Sequence, residues 1–161
     1  MNRRKMIKNV TFLSFILAAF IGIILPAPGI AADVGVMVIT NHSVKKNSIT
    51  QKDLEKIYLG KKTRWDNGKK IVPVILDDRD IHENFLSKYI KKSPEQFNNY
   101  WKRQVFTGRG KELKSFNSLE ETIDYIKNTS GAIGYITSDP SKVNYDDLLK
   151  SVKILSLEKK K

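Results

Sequence analysis

The chain has 161 residues, of which 40% are hydrophobic and 29% are charged, and these proportions exclude a disordered or fibrous protein. It has no cysteine, which excludes disulfide bonds, thiol catalysis and thiolate metal sites. With 29 Lys and Arg against 17 Asp and Glu, the net charge is +12. A basic surplus favours anionic ligands, anionic polymers or membrane surfaces, or simply keeps the protein soluble.

The first 32 residues have the pattern of a secretory signal peptide. Four basic residues precede an uncharged run over 10–25, and the small residues Ala31 and Ala32 stand just before Asp33. The run is shorter than the roughly 20 residues that span a bilayer. We therefore expect cleavage near Ala31 or Ala32 and a periplasmic or secreted protein. An uncleaved segment, which would be the chain's contact with the membrane, is the alternative, and export argues against a nucleic-acid partner.

One domain over 33–158 is predicted behind the signal peptide, followed by a basic tail over 159–161. Apolar, β-branched runs predict strands over 34–40, 70–76, 132–136 and 152–157. Helical spacing and capping signals predict helices over 50–60, 80–90, 93–106 and 118–130. Strands that alternate with helices predict an α/β layered domain, with a mostly parallel sheet flanked by helices.

Two details of these elements lead to specific expectations. Pro73 cannot donate to a sheet ladder, so its strand is expected at an edge or with an irregularity at its middle. Gly60 is placed to end the first helix, and Asn67-Gly68 is a turn pair before the next strand. Trp65 lies in this basic connection. We expect it to pack as an anchor; an exposed contact for a partner is the alternative.

The acidic loop after the second strand is a candidate site for chemistry. Ligands of open α/β sheets bind outside the carboxyl ends of strands, and this loop contains Asp77, Asp78, Asp80, His82 and Glu83. These groups suit a divalent metal or acid–base catalysis. The spacing of Asp80 and Glu83 is also that of a helix start, where acids are favoured by the helix dipole. Capping is the favoured interpretation.

Other candidates carry weaker signals. Gly108-Arg109-Gly110 could cradle an oxyanion, but a surface turn is favoured because the longer nucleotide-binding pattern is absent. His42 and His82 have no third partner at zinc-ligand spacing. The aromatic stripe that includes Trp101 has helical spacing, which favours a core position. No enzyme, metal site or cofactor is predicted.

Several segments carry a recognisable combination of residues: Ile57-Tyr58-Leu59-Gly60-Lys61 with Trp65, the strand at Pro73-Val74, Tyr100-Trp101 with Phe106-Thr107-Gly108, and Ser130-Gly131-Ala132-Ile133-Gly134-Tyr135. Together they resemble the phosphate ABC transporter substrate-binding proteins of the PBP-like, type 2 periplasmic binding protein superfamily. The resemblance implies a non-catalytic domain with the fold of one lobe of such a protein. It also implies a small anion such as phosphate as ligand, and a transporter permease or an envelope sensor as partner.

One expected motif departs from the superfamily pattern. The oxyanion motif, an arginine followed by an aspartate and a Ser-Gly-Thr run at a helix start, corresponds to residues 75–84. Asp77 or Asp78 matches, Arg79 follows the acids, and the Ser-Gly-Thr run is absent. The resemblance therefore implies the fold more strongly than it implies phosphate binding.

The ligand residues predicted for a small anion are Asn41, Asp78, Arg79 and His82, because they follow predicted strand ends. Arg79 would supply a guanidinium fork, His82 a pH-sensitive donor, and the helix N-terminus its amides. The alternative is an envelope interaction module, which uses the same fold to bind a protein or an anionic polymer. The exposed basic loops around Trp65 and Arg109 favour it.

Overall fold

The computed structural model describes residues 35–158. The predicted signal peptide over 1–32 and the predicted tail over 159–161 lie outside the described residues. Within residues 35–158, no helix has the length and apolar character needed to cross a membrane. The strands are β1 Val36–Thr40, β2 Ser48–Thr50, β3 Val72–Leu76, β4 Lys114–Phe116, β5 Ala132–Thr137 and β6 Lys153–Glu158. The helices are α1 Gln51–Tyr58, α2 Arg79–Phe85, α3 Pro94–Phe106, α4 Leu119–Asn128 and α5 Tyr145–Ser151, and a π-helical turn, Leu86–Ile90, extends α2.

The six described strands form one sheet in the order β2-β6-β1-β5-β3-β4. The central strand β1 is antiparallel to both of its neighbours, β5 and β6, and the other neighbouring pairs are parallel. The prediction of an α/β domain with a mostly parallel sheet is confirmed for the described residues. Because β1 is antiparallel to its neighbours, the sheet is mixed. The direction of β1 also determines which strand ends lie side by side.

Helices cover both faces of the sheet, so the sheet has a core on each side. Side chains alternate along a strand, and β5 shows this directly. Ile133 and Tyr135 pack into the core with α1, α2 and α3, whereas Ala132 and Ile136 pack into the core with α4 and α5. The Phe85 ring stacks on Tyr135 with ring centroids 3.8 Å apart. The layered arrangement thus follows from strands that are apolar on both faces.

Predicted capping signals start three of the helices. Thr50 accepts a hydrogen bond from the amide of Asp53, and Ser118 accepts one from Glu121. Ser93 and Gln96 form a reciprocal capping box with Pro94 in the first turn. The favoured role of the acidic loop, capping, is also seen, but the cap is Asp78 rather than Asp80. Its carboxylate accepts from the amides of Asp80 and Ile81, so the cap, and with it the start of α2, lies two residues earlier than expected.

Trp65 anchors the connection between α1 and β3, as expected. Its side chain is 4% exposed, and its indole N–H donates to the Gly131 carbonyl at 2.9 Å. Gly131 has a φ of +78°, a conformation that favours glycine. On the outer side, Lys46 and Lys62 each form ion pairs with Asp53 and Asp66. The connection is therefore held from the core and from the surface.

Pro73 lies in an interior strand, but at a point where pairing is one-sided. β3 pairs with β5 at Val72 and Pro73, and its pairing with β4 begins only at Val74. The expected irregularity is therefore this late start of β4. The short strands β2 and β4 and the helix α5 were not predicted, because three residues show no periodicity and α5 follows no strong apolar run.

Candidate functional site

A cavity of about 830 Å³ lies between α2 and α3, over β3 and β4, and it reaches the loop after β3 and the residues just before β4. The carboxyl ends of parallel strands are the usual ligand edge of an open α/β sheet. The cavity is lined by residues of β3 and its following loop (Ile75, Asp77), α2 (Arg79, His82, Glu83), α3 (Pro94, Phe97, Asn98, Trp101, Lys102, Val105, Phe106) and the chain at β4 (Glu112, Leu113, Ser115).

The floor of the cavity is fixed by backbone hydrogen bonds and by the cap of α2. The amide of Asp77 donates to the Phe116 carbonyl at 2.8 Å, which ties the loop after β3 to the end of β4. Asp78 then caps α2. Residues three and four apart lie on one face of a helix, so Arg79, His82 and Glu83 are presented together to the cavity.

His82 is held in place by the aromatic core. Its Nδ1 atom and the hydroxyl of the buried Tyr135 form a hydrogen bond, and its ring lies 5.9 Å from that of Phe97. Burial lowers the pKa of His82 below its ordinary value, although the Asp77 carboxylate opposes this shift. Burial also raises the pKa of the Tyr135 phenol. At neutral pH both groups are therefore uncharged, and His82 brings a polar ring edge rather than a positive charge.

Helix α3 forms an apolar wall that is anchored on its inner side. Phe97 is buried, the Trp101 indole N–H donates to the Tyr58 carbonyl at 3.0 Å, and the Tyr100 hydroxyl donates to Leu59 at 2.7 Å. Further along the same helix, Val105 is 45% exposed and Phe106 is 93% exposed. The wall is thus rigid at its base and ends in an exposed apolar rim.

The charges of the cavity are mixed. Its lining contains the acids Asp77, Glu83 and Glu112 and the bases Arg79 and Lys102. Over residues 35–158 as a whole, 22 Lys and Arg stand against 16 Asp and Glu, which gives +6. The cavity is therefore less basic than the protein around it, and it does not concentrate anions by long-range attraction.

The structure brings together only some of the predicted ligand residues. Arg79 and His82 both line the cavity. Asp78 lies beside them, but its carboxylate is engaged in capping. The expected anion site at the N-terminus of α2 is thus partly filled by the chain itself, because the amides of Asp80 and Ile81 already have an anionic acceptor.

Asn41 lies at the other end of the strands from Asp77 and the loop after β3. Thr40 at the end of β1 and Pro73 near the start of β3 both pair with Ile133, so the end of β1 meets the beginning of β3. A five-residue strand, roughly 17 Å, separates the two edges. The Asn41 amide donates to the carbonyls of Ile126 and Lys127 at the end of α4. Asn41 therefore stabilises the fold and is not among the residues that line the cavity.

The glycine loop after α3 has its amides engaged as well. The amides of Arg109 and Gly110 both donate to the Gln104 carbonyl, which ends the helix at this turn. Arg109 is exposed and is absent from the cavity lining. Within the described part of the chain, no group of three or more His, Asp or Glu side chains is arranged to hold a metal ion.

Comparison with known proteins identifies the fold. The family model of the PBP superfamily domain matches residues 31–161. No curated protein matches the chain. Solved structures do match. PstS from Borrelia burgdorferi is 21% identical over 78% of this chain and 48% of its own, with a TM-score of 0.56. A putative phosphate ABC transporter substrate-binding protein with bound phosphate, from Clostridium perfringens, is 20% identical over 76% and 44%, with a TM-score of 0.53.

The matched structures are all longer than this chain. A possible phosphate binding protein from Planctomyces limnophilus gives a TM-score of 0.54 at 12% identity, over 77% of this chain and 41% of its own. This chain therefore spans less than half the length of each of these proteins and has the fold of a single lobe. Since the family model covers most of the sequence, the chain belongs to the PBP superfamily domain family.

Proposed function

We propose that the protein is an exported, non-catalytic binding domain and that the α2–α3 cavity receives an apolar segment of a polypeptide. The observation that carries this proposal is the apolar wall of α3, which begins at Phe97 and ends in the exposed side chains of Val105 and Phe106. Apolar pockets with a few polar groups are the usual form of binding sites, and exposed apolar rims are typical of protein interfaces.

The polar groups around this wall suit the backbone and side chains of a polypeptide. Asn98, Ser115 and the His82 ring are at or near neutral charge, and they can exchange hydrogen bonds with peptide groups. Three acids and two bases line the cavity, so a partner that carries both signs is matched better than a highly charged anion. Export is supported by the signal-peptide pattern of the first 32 residues.

Photo-crosslinking tests this proposal. The photoreactive analogue benzoylphenylalanine is placed at Phe106, where an aromatic residue already stands, and at Asn99 as the control. Asn99 is exposed on the same helix but does not line the cavity. In irradiated cells we expect a crosslinked polypeptide product from position 106 and none from position 99. Equal products from both positions, or none from position 106, would refute polypeptide binding at this site.

A small oxyanion such as phosphate is the second candidate ligand. It is favoured by Arg79 and Lys102, which line the same cavity, and by the bound phosphate named for the Clostridium perfringens protein. Titration calorimetry with phosphate at low salt checks this candidate. If it is right, Arg79→Gln abolishes the heat and Arg109→Gln, outside the cavity, leaves it unchanged. No heat from the wild-type protein at about 1 mM phosphate, equivalent to a free energy weaker than about 4 kcal/mol, eliminates it.

A further inference from the structure

We infer that the polypeptide that occupies the cavity is a second copy of this chain, so that the protein forms a symmetric dimer in which each Phe106 enters the cavity of the other copy. The inference rests on the proposed function, because it names the partner of that same site. In a two-fold contact, the same surface of both copies must supply both the inserted group and its receptor. A symmetric dimer therefore requires that this face be complementary to itself.

The shape of the face meets this requirement. Phe106 stands at the rim of the cavity, 93% exposed, at the last position of α3. The receptor beside it is lined by apolar side chains, among them Ile75, Trp101 and Leu113. A two-fold axis through the rim places each Phe106 over the cavity of the partner. The exposed Phe106 side chain and the apolar cavity therefore lie next to each other on one face.

The rim is also the place where apolar exposure is concentrated. Among the side chains that the structure describes, the exposed large hydrophobic ones are Val105 and Phe106, which are adjacent. No fold-stabilising contact requires Phe106 to be there, because the end of α3 is already closed by Thr107 and Gly108, whose amides donate to Arg103 and Val105. Burial of the Phe106 ring against a partner would remove it from water.

The charges of the face are self-complementary as well. Residues 35–158 carry a net charge of +6, so two copies repel each other wherever basic surfaces meet. The cavity is different, because Arg79 and Lys102 lie on the same face as Asp77, Glu83 and Glu112. Because the face carries both signs, the bases of one copy can pair with the acids of the other, as a uniformly basic surface cannot. A strongly acidic partner would be drawn to the basic surface elsewhere, not to this cavity.

Sedimentation velocity of the protein, purified in the form that the cell produces, tests the dimer over a range of concentrations. We expect a monomer–dimer equilibrium. Phe106→Asp, which replaces the inserted aromatic ring with a charge, should raise the dimer dissociation constant at least about 30-fold, as for a residue at the centre of an interface. Phe106→Leu should preserve much of the affinity. Asn99→Asp adds the same charge on α3 outside the cavity lining and should leave the dissociation constant unchanged.

Three results would overturn the inference: a wild-type protein that remains monomeric at about 1 mM, a dimer that Phe106→Asp does not weaken, or a dimer that Asn99→Asp weakens equally. The crosslinks from position 106 separate this inference from the proposed function. A product of twice the mass of the chain supports the second copy. A product that contains a different polypeptide leaves the proposed function standing and refutes the dimer, whereas no product refutes both.

Discussion

The close approach of Gly131 to the start of β3 predicts a large loss of stability for Gly131→Ala. Gly131 has a φ of +78°, and a Cβ atom there would lie 2.2 Å from the carbonyl oxygen of Lys70. The chain offers a matched control at Gly68. It has almost the same backbone conformation, with a φ of +79°, but a Cβ atom there meets nothing within 4 Å. The two substitutions differ in steric overlap and share the backbone strain.

The left-handed conformation costs an alanine about 1–2 kcal/mol at either position. At Gly131 the overlap is with backbone, so it can be relieved only by moving residue 70 or residue 131. Either shift disturbs the Gly131 carbonyl, which accepts hydrogen bonds from the Trp65 indole and the Val72 amide. Loss of these bonds contributes about 1 kcal/mol each. We therefore expect about 4 kcal/mol for Gly131→Ala, or a fall of about 15 °C in Tm, against about 1 kcal/mol for Gly68→Ala.

Urea unfolding followed by tryptophan fluorescence measures both variants. Trp65 contacts this region directly, so the signal reports the affected part of the fold. The midpoint concentrations give the difference in the free energy of unfolding if the two slopes agree. A Gly131→Ala variant within about 1 kcal/mol of Gly68→Ala would show that the approach of Gly131 to Lys70 is not as close as described.

Three further outcomes are expected. Ser93→Ala removes half of the capping box of α3 and should lower the free energy of unfolding by about 1 kcal/mol in a thermal melt; no change would mean that the box is not formed in solution. Trp65→Phe removes the hydrogen bond to Gly131 and part of the buried indole, and about 2 kcal/mol should be lost in urea unfolding, whereas a neutral result would refute its role as anchor. Burial lowers the pKa of His82 in the folded protein. As the pH falls below about 6.5, the His82 side chain is therefore protonated in the unfolded chain before it is protonated in the folded protein. The stability that is present above that pH is lost on acidification. The pH dependence of the free energy of unfolding between about pH 7 and 5 should be shallower for His82→Asn than for wild type, and identical slopes would contradict the depressed pKa.

Local features of the fold could be predicted from the sequence because neighbouring residues determine them. The capping box at Ser93 depends only on the next three residues. The turn after α1 depends only on a residue that readily adopts a positive φ, which Gly60 does. The anchoring role of Trp65 followed from one large aromatic residue in a polar loop. Its partner, the carbonyl of Gly131, is 66 residues away and could not be predicted from that pattern.

The site was predicted only in part, because its assembly depends on strand direction and on helix packing. Arg79 and His82 follow a strand end directly, and both line the cavity. Asn41 also follows a strand end, but β1 is antiparallel to β5, and no local signal in the sequence determines that direction. Trp101 was assigned to the core by its helical spacing. It is half-buried and also lines the cavity. Helical spacing alone does not distinguish a core residue from one that also lines a cavity.

The antiparallel position of β1 has a consequence for the order in which the chain can fold during synthesis. Each of its paired residues finds its partner in β5 or β6, between 93 and 117 positions later in the chain. A nascent chain that has emerged only as far as α4 thus has no neighbour for its central strand. Contacts this distant in sequence close slowly and cooperatively. The sheet can therefore be completed only after β5 and β6 have been synthesised, and a shorter nascent chain leaves β1 without either of the strands that pair with it.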